Sequence, residues 1–135
     1  MRRLIDKALD DWAASPRHKP LIVRGARQVG KTYSIEQLGR RSFDGVVKVD
    51  FERNPDRCRI FDGDLDARRI LSELQVVTGS RIVPGRTLLF LDEVQACPNA
   101  LTALRYFLEE VPDLHVVAAG SLLEFALAGA SIPVG

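Results

Sequence analysis

The chain has 135 residues, 46% hydrophobic and 27% charged, the balance of one ordinary globular domain. With 19 basic against 18 acidic residues, the formal net charge is +1, so bulk electrostatics drive neither a nucleic-acid arm nor a polybasic membrane anchor. Two cysteines, Cys58 and Cys97, are too few for a disulfide scaffold or a structural zinc site and are expected as free thiols in a reducing compartment.

Residues 2–14 repeat apolar positions at helical spacing (Leu4, Ile5, Ala8, Leu9, Trp12) and predict an amphipathic surface helix. Its charges break any apolar run of the kind a signal peptide needs. Ser15-Pro16 ends it, and residues 17–20 connect to a short apolar strand, residues 21–23. A glycine-rich turn at 25–32 leads into a helix over 31–40, and a second strand follows at 46–51. Asn54-Pro55 opens an irregular charged connector. Leu65 and Ile70 bracket Asp66 as a hydrophobic staple around an N-cap; the helix behind it is expected to bury Ile70, Leu71, Leu74 and Val77 and to stop at Gly79. After the Pro84-Gly85 turn, residues 87–91 form a third, continuously apolar strand. Asn99 is read as the cap of a helix facing inward through Leu101, Leu104, Leu108 and Val111. Residues 115–119 form a fourth strand, and Ser121 begins a last helix. Residues 122–134 are apolar but contain Glu124 and Pro133 and are too short to cross a bilayer. A cytoplasmic location is expected.

Alternating strands and helices build an α/β fold, a parallel sheet with helices on both faces. The chain divides into an N-terminal helix and connector, residues 1–19, and a core, residues 20–135.

Gly25-Ala26-Arg27-Gln28-Val29-Gly30-Lys31-Thr32 reads G-x-x-x-x-G-K-T, the phosphate-binding loop called Walker A. The two glycines let the backbone curl so that its amides point at a phosphate, and the helix behind adds its positive N-terminus. Lys31 can reach the β- and γ-oxygens, and Thr32 offers a hydroxyl to Mg²⁺. Leu88-Leu89-Phe90-Leu91-Asp92-Glu93 is an apolar strand ending in two carboxylates, the Walker B pattern. It sets Asp92 at the C-terminal edge of the sheet, where α/β sheets bind ligands, to hold Mg²⁺ through water. Glu93 stands next to it to polarise an attacking water.

Other residues carry weaker signals. Ser121, at the end of the fourth strand, heads Ser121-Leu122-Leu123-Glu124, an S-x-x-E capping box, and equally fits a polar contact to the γ-phosphate. Arg27 could touch phosphate or a partner. Asp50 and Glu52 point the same way from the second strand. Gln95 could orient Glu93 or end the turn. His18 and His115 lack metal-ligand spacing, and His18 could approach an adenine base.

These motifs, in this order, resemble the AAA+ ATPase core. Residues 24–32, 89–95 and 119–124, with Phe51-Glu52-Arg53-Asn54-Pro55, are similar to a large group of uncharacterised bacterial and archaeal AAA-type ATPases. The resemblance runs along essentially the whole chain. It implies ATP and Mg²⁺, with roles at Lys31, Thr32, Asp92, Glu93 and, as sensor 1, Ser121, and a sheet ordered 5-1-4-3-2. Members usually continue into a C-terminal domain. The fifth strand and the lid are therefore expected to be missing here, as in a truncated chain. That domain or another subunit would supply an arginine.

The leading reading is an ATPase. A nucleotide-binding switch or interaction fragment with negligible turnover is the second, and a small-molecule P-loop kinase the third. No N-K-x-D segment favours a GTPase. Nucleic acid and membrane are not indicated as partners.

Overall fold

Parallel strands cannot be joined by tight turns, so each needs a crossover, and the sequence supplies helical ones. The computed structural model describes residues 4–15, 18–24 and 29–120; for residues 4, 5, 24 and 29–31 it describes the backbone alone. The helices are α1 (Leu4–Ala14), α2 (Val29–Ser42), α3 (Ala67–Thr78) and α4 (Pro98–Glu110). The strands are β1 (Leu21–Arg24), β2 (Gly45–Asp50), β3 (Thr87–Asp92) and β4 (His115–Gly120). All pairings are parallel and the order is β1-β4-β3-β2, the 1-4-3-2 part of the expected sheet. The expected last helix falls within residues 121–135, outside the described residues.

Strand alternation sorts the core into two layers. Leu21, Leu88, Phe90, Val117 and Ala119 face Leu9 of α1 and Ile35 and Leu38 of α2. Ile22, Val47, Val49, Leu89, Leu91, Val116 and Ala118 face Ile70 and Leu74 of α3 and Leu101, Leu104 and Phe107 of α4. β3 and β4 are central and buried on both faces, which explains their unbroken apolar runs. Full burial of each such side chain contributes about 1.5–3 kcal/mol. Gly39 lets α2 approach the sheet: a Cβ there would lie 1.7 Å from Val46 Cγ2.

Local signals place α3 well. The Asp66 carboxylate accepts the backbone N–H groups of Arg68 and Arg69, Ile70 is fully buried, and Gly79 closes the helix in the left-handed region at φ 68°. Val77 departs from expectation. It is 39% exposed, because the buried face ends at Leu74. α4 begins one residue before its expected cap. Pro98 takes the first turn, where its missing N–H costs nothing, and Asn99 reaches across to Asp62 instead. Residues 55–61, read as irregular, form a 3-10 helix (Pro55–Phe61) that buries Ile60 and Phe61.

The cysteines are a correction. Cys58 and Cys97 are joined in a disulfide, with Cα atoms 5.6 Å apart. β2 and β3 are adjacent and parallel, so the segments leaving their C-terminal ends emerge side by side. The 3-10 helix carries Cys58 and the entry to α4 carries Cys97. The free-thiol argument for a reducing compartment therefore falls. No helix among the described residues is long and apolar enough to cross a membrane.

Candidate functional site

The C-terminal edge of the sheet gathers Arg24, Asp50, Asp92 and Gly120, the last residues of the four strands. Asp50 and Asp92 are register partners. Their settings differ. The Asp50 carboxylate accepts the N–H groups of Glu52 and Arg53 at 3.0 and 3.1 Å and so ties down the turn after β2. Asp92 keeps its side chain 14% exposed. Its Oδ1 accepts the Glu93 N–H at 2.9 Å, and its Oδ2 lies 3.7 Å from Lys48 Nζ. Burial pushes the Asp92 carboxyl above the usual carboxylate range, against the pull of the Glu93 N–H and the Lys48 charge; Asp50 and Glu93 add to the rise.

Glu93 follows the strand in the left-handed region, φ 53° and ψ 47°. Across the turn, Gln95 Nε2 donates to Glu93 Oε1 at 3.0 Å. Of the two readings of Gln95, orienting Glu93 fits this contact. The Gln95 Oε1 atom is buried with no hydrogen-bond partner among the described residues.

α2 starts beyond β1, with Val29, Gly30 and Lys31 as its first residues and Thr32 half-buried behind them. Four amides without intrahelical partners open that end. Thr32 precedes Glu36 by one turn, so both lie on one face of α2. Glu36 Oε2 is 3.8 Å from Lys48 Nζ, and the same ammonium is 3.7 Å from Asp92 Oδ2. That chain of contacts sets the Thr32–Glu36 face of α2 towards the end of β3. Gly25, Ala26, Arg27, Gln28 and Ser121 lie outside the described residues, as does the side chain of Lys31.

Lys48 and Glu36 escaped the sequence reading. Alternation along β2 puts Lys48 on the face of Asp50, but only the β2–β3 register brings it to Asp92. The histidines sit elsewhere. His18 stacks on His115, centroids 3.5 Å apart, at the N-terminal end of the strands, opposite Asp92. Among the described residues no group of three or more His, Cys, Asp or Glu side chains is placed to hold a metal ion.

Three comparisons bear on this arrangement. The profile of a family described as an AAA domain matches residues 17–133. Comparison with curated proteins gives no match. Among solved structures, the Walker-type ATPase PABY2304 of Pyrococcus abyssi is similar in fold, with a TM-score of 0.53 at 14% identity. The alignment covers 92% of this chain and 47% of that one, so this chain spans about half of its length. The parallel 1-4-3-2 sheet thus shares the fold of that Walker-type ATPase, and with 17–133 matched the chain belongs to the AAA domain family.

Proposed function

We propose that the chain binds ATP with Mg²⁺ and hydrolyses it, with Glu93 as the group that polarises the attacking water. The observation that carries this reading is the pair at the end of β3: Glu93 held by Gln95, beside Asp92, whose Oδ1 alone takes the Glu93 N–H. The donor set fits Mg²⁺. Asp92 and Thr32 offer hard oxygens at one edge of the sheet, and Mg²⁺ takes one or two protein oxygens plus phosphate and water. When bound it would neutralise charge on the transferring phosphoryl group.

The chain's own residues have separate tasks in this proposal. The amides of residues 25–30 and the positive end of α2 cradle the phosphates. Lys31 supplies a cation to the β- and γ-oxygens, Thr32 and Asp92 are the Mg²⁺ ligands, and Ser121 contacts the γ-phosphate or the attacking water. A second domain or another subunit contributes an arginine, worth on the order of 10³–10⁵ in rate. A cytoplasmic location is kept as part of this proposal.

Titration calorimetry with ATP and Mg²⁺, followed by single-turnover hydrolysis, tests the reading. Lys31→Ala is expected to lose binding, and Glu93→Gln to bind ATP without cleaving it. Equal cleavage by wild type and Glu93→Gln would remove Glu93 from the mechanism. Binding without turnover in the wild type would leave a nucleotide switch, and phosphate transfer to an added metabolite would make the chain a kinase.

A further inference from the structure

Lys48 is the cation nearest to Asp92 in the described structure, and it is held in an unusual way. Its ammonium lies 3.7 Å from Asp92 Oδ2 and 3.8 Å from Glu36 Oε2. Neither distance is a hydrogen bond, so the charge is shared between two carboxylates and fixed to neither. The stem crosses the Phe90 ring, with Nζ 5.7 Å from its centroid. Side-chain exposure is 34% for Lys48 and 38% for Glu36, against 14% for Asp92. The ammonium therefore has a wet side near Glu36 and a drier side near Asp92.

The oxygen it stands beside is the one left open. Asp92 Oδ1 is occupied by the Glu93 N–H, and Oδ2 is the oxygen nearest Lys48. A divalent cation held at Oδ2, directly or through one water, would come within about 8 Å of the ammonium where it now sits. In a partly buried site two cations so close repel strongly. Lysine is a strongly hydrated charge on a flexible stem, so it can withdraw into water beside Glu36 while keeping a counter-charge.

Resting on the Mg²⁺ role proposed for Asp92, we propose that Lys48 is a built-in competitor of Mg²⁺ at Asp92 and that Glu36 is the seat to which its ammonium withdraws when nucleotide and Mg²⁺ enter. Both are positioning residues. They act through Asp92, and they set how much Mg²⁺ the site requires. Without metal, Lys48 balances the Asp92 charge; as the metal arrives, that balance passes to it.

The experiment follows binding, not turnover. A fluorescent ADP analogue is titrated into the full 135-residue chain across a range of Mg²⁺ concentrations, and the half-saturating Mg²⁺ concentration is read. Lys48→Met is expected to lower it about tenfold by removing the competitor, while Lys48→Arg, which keeps the charge, stays within about twofold of wild type. Glu36→Gln is expected to raise it several-fold, and to raise it far less in the Lys48→Met background. That coupling separates a seat for the ammonium from a carboxylate that attracts Mg²⁺ at long range, which would act equally in both backgrounds. Asp92→Asn is the control for the underlying reading. If it keeps the Mg²⁺ dependence, Asp92 is not the ligand, and both proposals fall. If it loses that dependence while Lys48→Met leaves the midpoint unchanged or raises it, only the competitor role falls. A circular dichroism melt of each variant accompanies the titration, and Lys48→Gln takes the place of Lys48→Met in both backgrounds if Lys48→Met does not fold.

Discussion

Gln95 Nε2 donates to Glu93 Oε1 at 3.0 Å, across a turn in which Glu93 is the one non-glycine residue of positive φ among those described. Left-handed backbone costs an ordinary residue about 1–2 kcal/mol. The surrounding turn overrides that cost: the Ala96 N–H donates to the Glu93 carbonyl at 3.0 Å, and Val94 is fully buried beside it. Glu93 therefore has its backbone set by the turn and its carboxylate set by Gln95. Gln95→Ala is expected to slow single-turnover hydrolysis about fivefold to tenfold, the worth of one such hydrogen bond, with nucleotide affinity unchanged. Equal rates would leave Gln95 as a turn residue only.

Gly39 is where α2 meets β2. A Cβ would fall 1.7 Å from Val46 Cγ2 and 3.7 Å from Leu88 Cδ2. Helix propensity alone favours alanine by about 1 kcal/mol, but overpacking costs about 1–3 kcal/mol or more. Gly39→Ala is expected to destabilise the chain on urea unfolding. Pairing it with Val46→Ala, which removes the offending methyl, is expected to return most of the loss. Unchanged stability of the single variant would place α2 farther from the sheet.

The Cys58–Cys97 bond closes a loop with a sequence separation of 39 residues, which restricts the unfolded chain by about 4 kcal/mol in the chain-entropy account. Thermal melts are expected to shift down when the chain is reduced with dithiothreitol. Cys58→Ala is expected to melt at the reduced position with or without reductant. A melt indifferent to reductant would mean that the bond is not formed in solution.

His115 carries the acid sensitivity. Its ring lies between His18, Trp12 and Phe43, with centroids 3.5, 5.1 and 4.9 Å away. Neither ring nitrogen makes a well-aligned hydrogen bond among the described residues, although the backbones of Ala13 and Asp113 lie near enough to favour the charged ring in part. Burial, then the nearby His18 charge, pulls its pKa from 6.5 down to about 4. Between those values the unfolded chain binds the extra proton, so stability falls as pH drops through that window. The loss approaches about 3 kcal/mol at the acid end. Urea unfolding of wild type and His115→Phe across the window isolates this contribution: the variant is expected to have the shallower slope, and parallel curves would contradict it.

How much could be read in advance follows from how local each signal is. β3 and β4 announce themselves by unbroken apolar runs, and α3 by Asp66, Ile70 and Gly79, all within a few residues of one another. Asp92 and Glu93 were legible for the same reason, because a strand end carries its last residues to a fixed edge. The misses are non-local or competitive. Cys58 meets Cys97, and Lys48 meets Asp92, only through the β2–β3 register. Asn99 lies inside the first turn and not at the cap, because Pro98, whose ring suits the first helical position, opens α4 one residue earlier behind Cys97 as N-cap. Val77 continues the periodicity of α3 beyond the point where anything packs against it.

The sheet order also dictates when the site can exist. β1, which leads into the glycine-rich segment, pairs with β4, and Leu21 sits opposite Val117. Between them lie β2 and β3, nearly the whole described chain, so β1 waits for β4, the last of the described strands, before it gains this neighbour. Contacts of such long range form slowly, because loop closure must precede them. The β1 edge is thus the latest-assembled part of the described sheet, docked only after the end of β3 that carries Asp92 and Glu93 is already paired with β2.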